Sequence, residues 1–123
     1  MTKRILLVDD DQPFRETVRE ILELEGFEVT EYSDAVYALP HIREPFDLAI
    51  TDIIMSEVDG NQFANAIRLD NPDLPVLGMT GGGRIGDADR IKAFCPPKLF
   101  TTILSKPFLA EELLDAVNTS ISE

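Results

Sequence analysis

The chain's 123 residues, 44% of them apolar, suffice for one hydrophobic core and are too few for two domains. A formal charge of −12, from 23 acidic against 11 basic residues, argues against direct binding to nucleic acid or to an anionic membrane, since both need a basic footprint. The single cysteine, Cys95, excludes an internal disulfide, a thiolate metal site and a CxxC redox pair, and fits a reducing cytoplasm.

The first apolar run, Ile5 to Val8, follows basic residues and stops at Asp9-Asp10-Asp11. It reads as a strand and not as a signal peptide, and no apolar stretch approaches the roughly 18 residues of a membrane span. A helix begins near Asp11 to Pro13, with a polar cap and proline in its first turn, and places Phe14, Val18, Ile21 and Leu22 on one face. Glu25-Gly26 ends it. Glu28 to Tyr32 is a second strand, followed by Ala35, Ala38, Leu39 and Ile42 at helical spacing, with Pro40 placed to distort that helix. The run Phe46 to Thr51 carries the third strand, Asp47 to Thr51, and delivers Asp52 at its end. After a loop with Ser56, Asp59 and Gly60, a third helix carries Phe63, Ala66 and Ile67 and stops at Asn71-Pro72-Asp73.

Strand four, Pro75 to Met79, runs into Thr80 and the glycines Gly81-Gly82-Gly83. A short fourth helix is expected around Asp87 to Phe94, ahead of Pro96-Pro97. Thr101 to Ser105 forms the fifth strand and leads into Lys106-Pro107; the last helix carries Leu109, Leu113, Val117 and Ile121. With no linker or low-complexity tract, residues 1–123 are expected to form one domain with no effector domain, an intact small protein from Met1 to the short tail Ser120–Glu123.

Strands alternating with helices indicate repeated βα units around a parallel sheet, and the carboxyl ends of such strands share one crevice. Asp9, Asp10, Asp52, Thr80 and Lys106 all stand at that end. Three carboxylates within about 4 Å repel one another by roughly 1–4 kcal/mol per pair, a repulsion that a divalent cation relieves. An all-oxygen ligand set suits Mg²⁺, with Mn²⁺ a ready substitute. Lys106 is expected to pair with Asp52 in the empty site and with a phosphoryl oxygen in the loaded one. Thr80 offers its hydroxyl, and the glycines beyond it let backbone N–H groups approach. The set suits metal-assisted phosphoryl transfer to a carboxylate. The glycine run lacks the Gly-Lys-Ser/Thr ending of a nucleotide P-loop.

Leu6-Leu7-Val8-Asp9-Asp10-Asp11, Asp52-Ile53-Ile54-Met55 with Asp59-Gly60, Thr80, and Lys106-Pro107-Phe108 together resemble a response regulator receiver domain of the stand-alone type, over nearly the whole chain. The resemblance implies a flavodoxin-like α/β fold, a five-stranded parallel sheet of order 2-1-3-4-5 with helices on both faces. It implies that Asp52 accepts a phosphoryl group from a sensor histidine kinase or a histidine phosphotransfer protein. Asp10, Asp52 and the backbone carbonyl of Ile54 would hold Mg²⁺, with Asp9 acting mostly through a water. Thr80, Lys106 and Gly81 would bind the phosphoryl group. Output in the family passes through the face of the fourth helix, fifth strand and fifth helix to a downstream protein. Such a protein is not an enzyme in the ordinary sense, catalysing only its own phosphorylation and dephosphorylation, and is expected to be cytoplasmic and a monomer or weak dimer.

Several positions depart from the family pattern. Ile103 stands where many receivers carry a tyrosine or phenylalanine that turns inward, and a branched aliphatic side chain has no ring to swing. Gly81 replaces a small alanine, the interval from Thr80 to Lys106 is longer than usual, and Gly81-Gly82-Gly83-Arg84 resembles a glycine-rich loop of some stand-alone receivers. Switching by ordering of this loop is the resulting expectation. Ser56 replaces a frequent proline, and Ile54 and Gly82 offer no polar group to orient a hydrolytic water, so the phosphoryl lifetime is not shortened by them. His41 reads as a surface or boundary residue, Arg84 as an exposed loop residue and Cys95 as a small buried apolar group. Two rivals are a receiver-like adaptor that is never phosphorylated and a haloacid dehalogenase-type phosphatase. The latter lacks its second carboxylate, because Ile54 stands two residues after Asp52.

Overall fold

The computed structural model describes residues 2–53, 60–81 and 100–122. Their elements are β1 (Arg4–Val8), α1 (Gln12–Leu24), β2 (Glu28–Tyr32), α2 (Ala35–Ala38) continued by a 3-10 turn (Leu39–His41), β3 (Leu48–Asp52), α3 (Gly60–Asp70), β4 (Val76–Gly81), β5 (Thr102–Lys106) and α4 (Ala110–Ser122). The helix expected around Asp87 to Phe94 lies outside the described residues, as do Ile54, Ser56, Asp59, Gly82, Gly83, Arg84 and Cys95. Helix α4 is thus the last of the expected helices.

All pairings are parallel, and the sheet order is β2-β1-β3-β4-β5. Ile5, Leu6, Leu7 and Val8 are all fully buried, as an apolar strand covered on both faces requires. Their alternation divides the core. Leu6 and Val8 join Ala35, Ala38, Phe63 and Ile67 under α2 and α3, whereas Ile5 and Leu7 join Val18, Leu22, Leu113 and Val117 under α1 and α4.

The helix ends follow from local chemistry. The Asp11 side chain accepts a hydrogen bond from the Phe14 N–H at the start of α1, and Gly26, with φ of 93°, turns the chain after its end. Asp34 caps α2, and Pro40 follows its single turn, where the chain tightens into the 3-10 geometry. Strands β3 and β5 each end one residue later than expected, so Asp52 and Lys106 belong to them. Strand β4 runs two residues further, through Thr80 and Gly81, because β5 supplies pairing partners: Thr80 lies opposite Ser105 and Gly81 opposite Lys106.

Leu109 departs from the expected core face of the last helix. It precedes α4 and is 62% exposed, its N–H donating to the Glu112 carboxylate at 2.9 Å, while Leu113 and Val117 are buried. Among the described residues no helix is long and apolar enough to cross a membrane.

Candidate functional site at the carboxyl edge of the sheet

Strand register builds the site. Val8 pairs with Thr51, so Asp9 leaves β1 beside Asp52, and Asp52 pairs with Met79, one residue before Thr80. With Gly81 opposite Lys106, strands β1, β3, β4 and β5 end in one tier. Asp9, Asp10 and Asp52 offer carboxylate oxygens that lie within 4.8 Å of one another. Asp9 and Asp52 are buried and Asp10 is exposed, so the cluster opens to solvent on the Asp10 side.

Lys106 enters this cluster from β5. Its Nζ is 3.6 Å from Asp52 Oδ2, the expected ion pair, and 2.9 Å from Asp9 Oδ2, a second and closer partner. The Phe14 ring explains part of this placement, because the ammonium sits 4.2 Å from its centroid, and Phe108 packs edge-on to Phe14 at 5.4 Å. Burial pushes the Asp52 carboxyl up to about 6, with Lys106 opposing the shift and Asp9 and Asp10 adding to it.

Three buried side-chain oxygens, Asp52 Oδ1, Asn61 Oδ1 and Thr80 Oγ1, have no hydrogen-bond partner among the described residues, and those of Asp52 and Thr80 stand at the strand ends. Buried polar atoms are nearly always satisfied, so the two strand-end oxygens have capacity for a ligand atom. A cluster of hard carboxylate oxygens beside them fits a divalent cation of the Mg²⁺ type, and the adjacent hydroxyl and ammonium fit a phosphoryl group. Gly81 closes β4 next to Thr80, and Ile103 is half-buried on β5 opposite Gly78. The carbonyl of Ile54 and the loop from Gly82 to Arg84 lie outside the described residues.

The floor of the site depends on Gly60. A Cβ there would stand 2.5 Å from both the Asp52 carbonyl oxygen and the Ile53 Cα, so only glycine lets α3 start this close to β3. The Gly60 N–H donates to the Ile53 carbonyl at 2.7 Å, tying the start of α3 to the residue after Asp52. His41 is half-buried, stacked on Tyr32 and paired with Glu44, away from the acidic cluster. Two residues of α1 belong to the site's surroundings although the apolar pattern singled out neither for it. Phe14 packs against the core and also lies under Lys106; Arg15 is buried and hydrogen-bonds the Asp9 carbonyl. The signal for Arg15 was a charge one turn before Val18 and two before Leu22, on the apolar stripe itself.

Comparison with known proteins agrees with this geometry. The chain is 40% identical over 118 residues to the response regulator protein FleR of Pseudomonas aeruginosa, covering 95% of the chain but only 24% of FleR. It is 33% identical over 119 residues to the response regulator receiver protein CpdR of Brucella abortus, covering 94% of the chain and 93% of that protein. The solved structure of chemotaxis protein CheY4 of Vibrio cholerae is similar with a TM-score of 0.81 and 28% identity, covering 98% of the chain and 99% of CheY4. The family model described as response regulator receiver domain matches residues 5–118. Fold, strand-end acids and relatives therefore converge, and the chain belongs to the response regulator receiver domain family.

Proposed function

We propose that this receiver accepts a phosphoryl group on Asp52 from a phosphohistidine of a sensor histidine kinase or a histidine phosphotransfer protein, and passes the signal on through a changed protein-binding face. The observation that carries this reading is the pairing of a three-aspartate cluster with two buried oxygens, on Asp52 and on Thr80, that have no partner among the described residues. A carboxylate oxygen of Asp52 attacks phosphorus; the O–P bond forms as the N–P bond to the donor imidazole breaks, and that electron pair stays on the imidazole nitrogen. Asp9, Asp10, Asp52 and the backbone carbonyl of Ile54 would hold Mg²⁺, for which Mn²⁺ substitutes, and the bound ion supplies positive charge to the phosphoryl oxygens. Lys106 moves from Asp9 toward a phosphoryl oxygen, the Thr80 hydroxyl donates to another, and the Gly81 N–H approaches the same group. No ring swing accompanies this, since position 103 is isoleucine.

The chain spans 93% of CpdR and about a quarter of FleR, and the part shared by both is the receiver. We place it in the cytoplasm, as a monomer or weak dimer that engages proteins and neither nucleic acid nor membrane, in keeping with its charge of −12. It turns over no external substrate beyond its phosphodonor.

Intact mass after incubation with Mg²⁺ and acetyl phosphate tests the reading. One phosphoryl adduct on the wild type and none on Asp52→Asn is the expected result. Absence of the adduct with acetyl phosphate and also with a phosphorylated histidine protein would sink it in favour of an unphosphorylated adaptor.

A further inference from the structure

Among the described residues Arg15 is the only buried lysine or arginine, and none of the steps above uses it. Its Nη1 donates to the Asp9 carbonyl at 2.7 Å in a buried hydrogen bond, and its Nε donates to Glu31 Oε1 at 3.1 Å. The other oxygen of Glu31 accepts from Arg19 at 2.6 Å. Burial disfavours ionised Glu31, but the hydrogen bonds from Arg15 and Arg19 outweigh it and hold the carboxyl below its usual range. The Arg15 charge is therefore compensated where it sits, and what it contributes to the acidic cluster is geometry more than field.

Asp9 is held at every polar group. Its N–H donates to the Tyr32 carbonyl at 3.3 Å, Oδ1 accepts from the Asp11 N–H at 3.0 Å, Oδ2 meets Lys106, and its carbonyl meets Arg15. Of these contacts the Arg15 bond alone fixes the peptide plane between Asp9 and Asp10. That plane sets the direction in which Asp10, the exposed member of the cluster, leaves the strand. Without the guanidinium the carbonyl would be buried and unpaired, a state a peptide escapes by rotating toward solvent.

We infer that Arg15 is a positioning residue for the acidic site: its hold on the Asp9 carbonyl sets the Asp9–Asp10 peptide, and through it the spacing of the Asp10 and Asp52 carboxylates that a divalent cation requires. The inference rests on reading these aspartates as a metal site. Groups that orient ligands from behind typically change metal affinity by about 10- to 100-fold when removed.

Calorimetric titration with Mg²⁺ alone, at fixed ionic strength, on wild type, Arg15→Ala, Arg15→Lys and Val18→Ala tests it, together with amide spectra of the metal-free proteins. Arg15→Ala is expected to bind Mg²⁺ about tenfold more weakly, with the Asp10 amide shifted before any metal is added. Arg15→Lys, whose ammonium cannot hold Asp9 and Glu31 in the same fork, falls between, and carries the test if Arg15→Ala does not fold. Val18→Ala loosens the same helix face without touching Asp9 and keeps wild-type affinity. Wild-type affinity with an unshifted Asp10 amide in the Arg15 variants overturns the positioning role, as does an equal loss in Val18→Ala. A wild type that binds no Mg²⁺ overturns the metal-site reading itself, which the variants alone cannot do.

Discussion

At the scale of single residues, the site is a place where stability has been given up. The folded chain holds the Asp52 proton more tightly than the unfolded chain does, at a pKa of about 6 against 3.8. The stabilising contribution of protonated Asp52 is therefore full below about pH 4 and is lost as pH rises through about 6. At neutral pH Asp52→Asn is expected to exceed wild type in stability by on the order of 1–3 kcal/mol, with the difference shrinking between about pH 6 and pH 4. Denaturant melts of both proteins across that range check the sign, and a gap that does not vary with pH would refute the charge origin. Thr80→Val keeps the shape of a buried side chain whose hydroxyl has no partner among the described residues. It is expected to stay within about 1 kcal/mol of wild-type stability while phosphorylation from acetyl phosphate slows about tenfold or more; mass-detected time courses beside melts would separate the two effects. Asp9, Asp10, Asp52, Thr80 and Lys106 were legible as one constellation because strand ends are legible. The preference of Lys106 for Asp9 was not, since it depends on where a flexible side chain comes to rest beside the Phe14 ring.

At the scale of elements, the approach of α3 to β3 is the tightest constraint behind the site. Gly60→Ala must displace the Asp52–Ile53 backbone and is expected to cost about 2–3 kcal/mol. Gly26→Ala has open space around the new methyl group and meets only the penalty of its φ of 93°, about 1–2 kcal/mol. Urea melts should rank the two in that order, and the Asp52 amide should shift in the first variant alone; the reverse ranking would show that α3 can retreat from β3 freely. Helix α1 and strand β1 were readable because cap, proline, apolar period and glycine stop agree with one another. Strand β4 was read short because Thr80 and Gly81 look locally like a loop, and only pairing with Ser105 and Lys106 keeps them extended. Leu109 fitted the helical period, but the Glu112 carboxylate binds its N–H just ahead of α4 and leaves it in solvent.

At the scale of the molecule, the charge of −12 makes any salt relieve some repulsion, so a metal effect must be separated from screening. Mg²⁺ at one hundred times its dissociation constant is expected to add about 2.7 kcal/mol to stability. Thermal melts in MgCl2 and in NaCl of equal ionic strength check this, and equal shifts in the two salts would remove the specific site. Burial separates central from edge strands: β3 is buried throughout and β1 after Arg4, whereas β2 and β5 are only partly buried. The order 2-1-3-4-5 was not contained in periodicity and came from family likeness, because parallel neighbours are fixed by crossovers and not by any local pattern. The Asp52 and Thr80 oxygens, without partners among the described residues, set stability against function at both positions. A library of variants selected for heat resistance alone, with no metal or phosphodonor present, would drift toward loss of the Asp52 carboxylate and the Thr80 hydroxyl, whereas selection for signalling would retain both. Positions where the two selections pull in opposite directions would outline the site before any partner protein had been found.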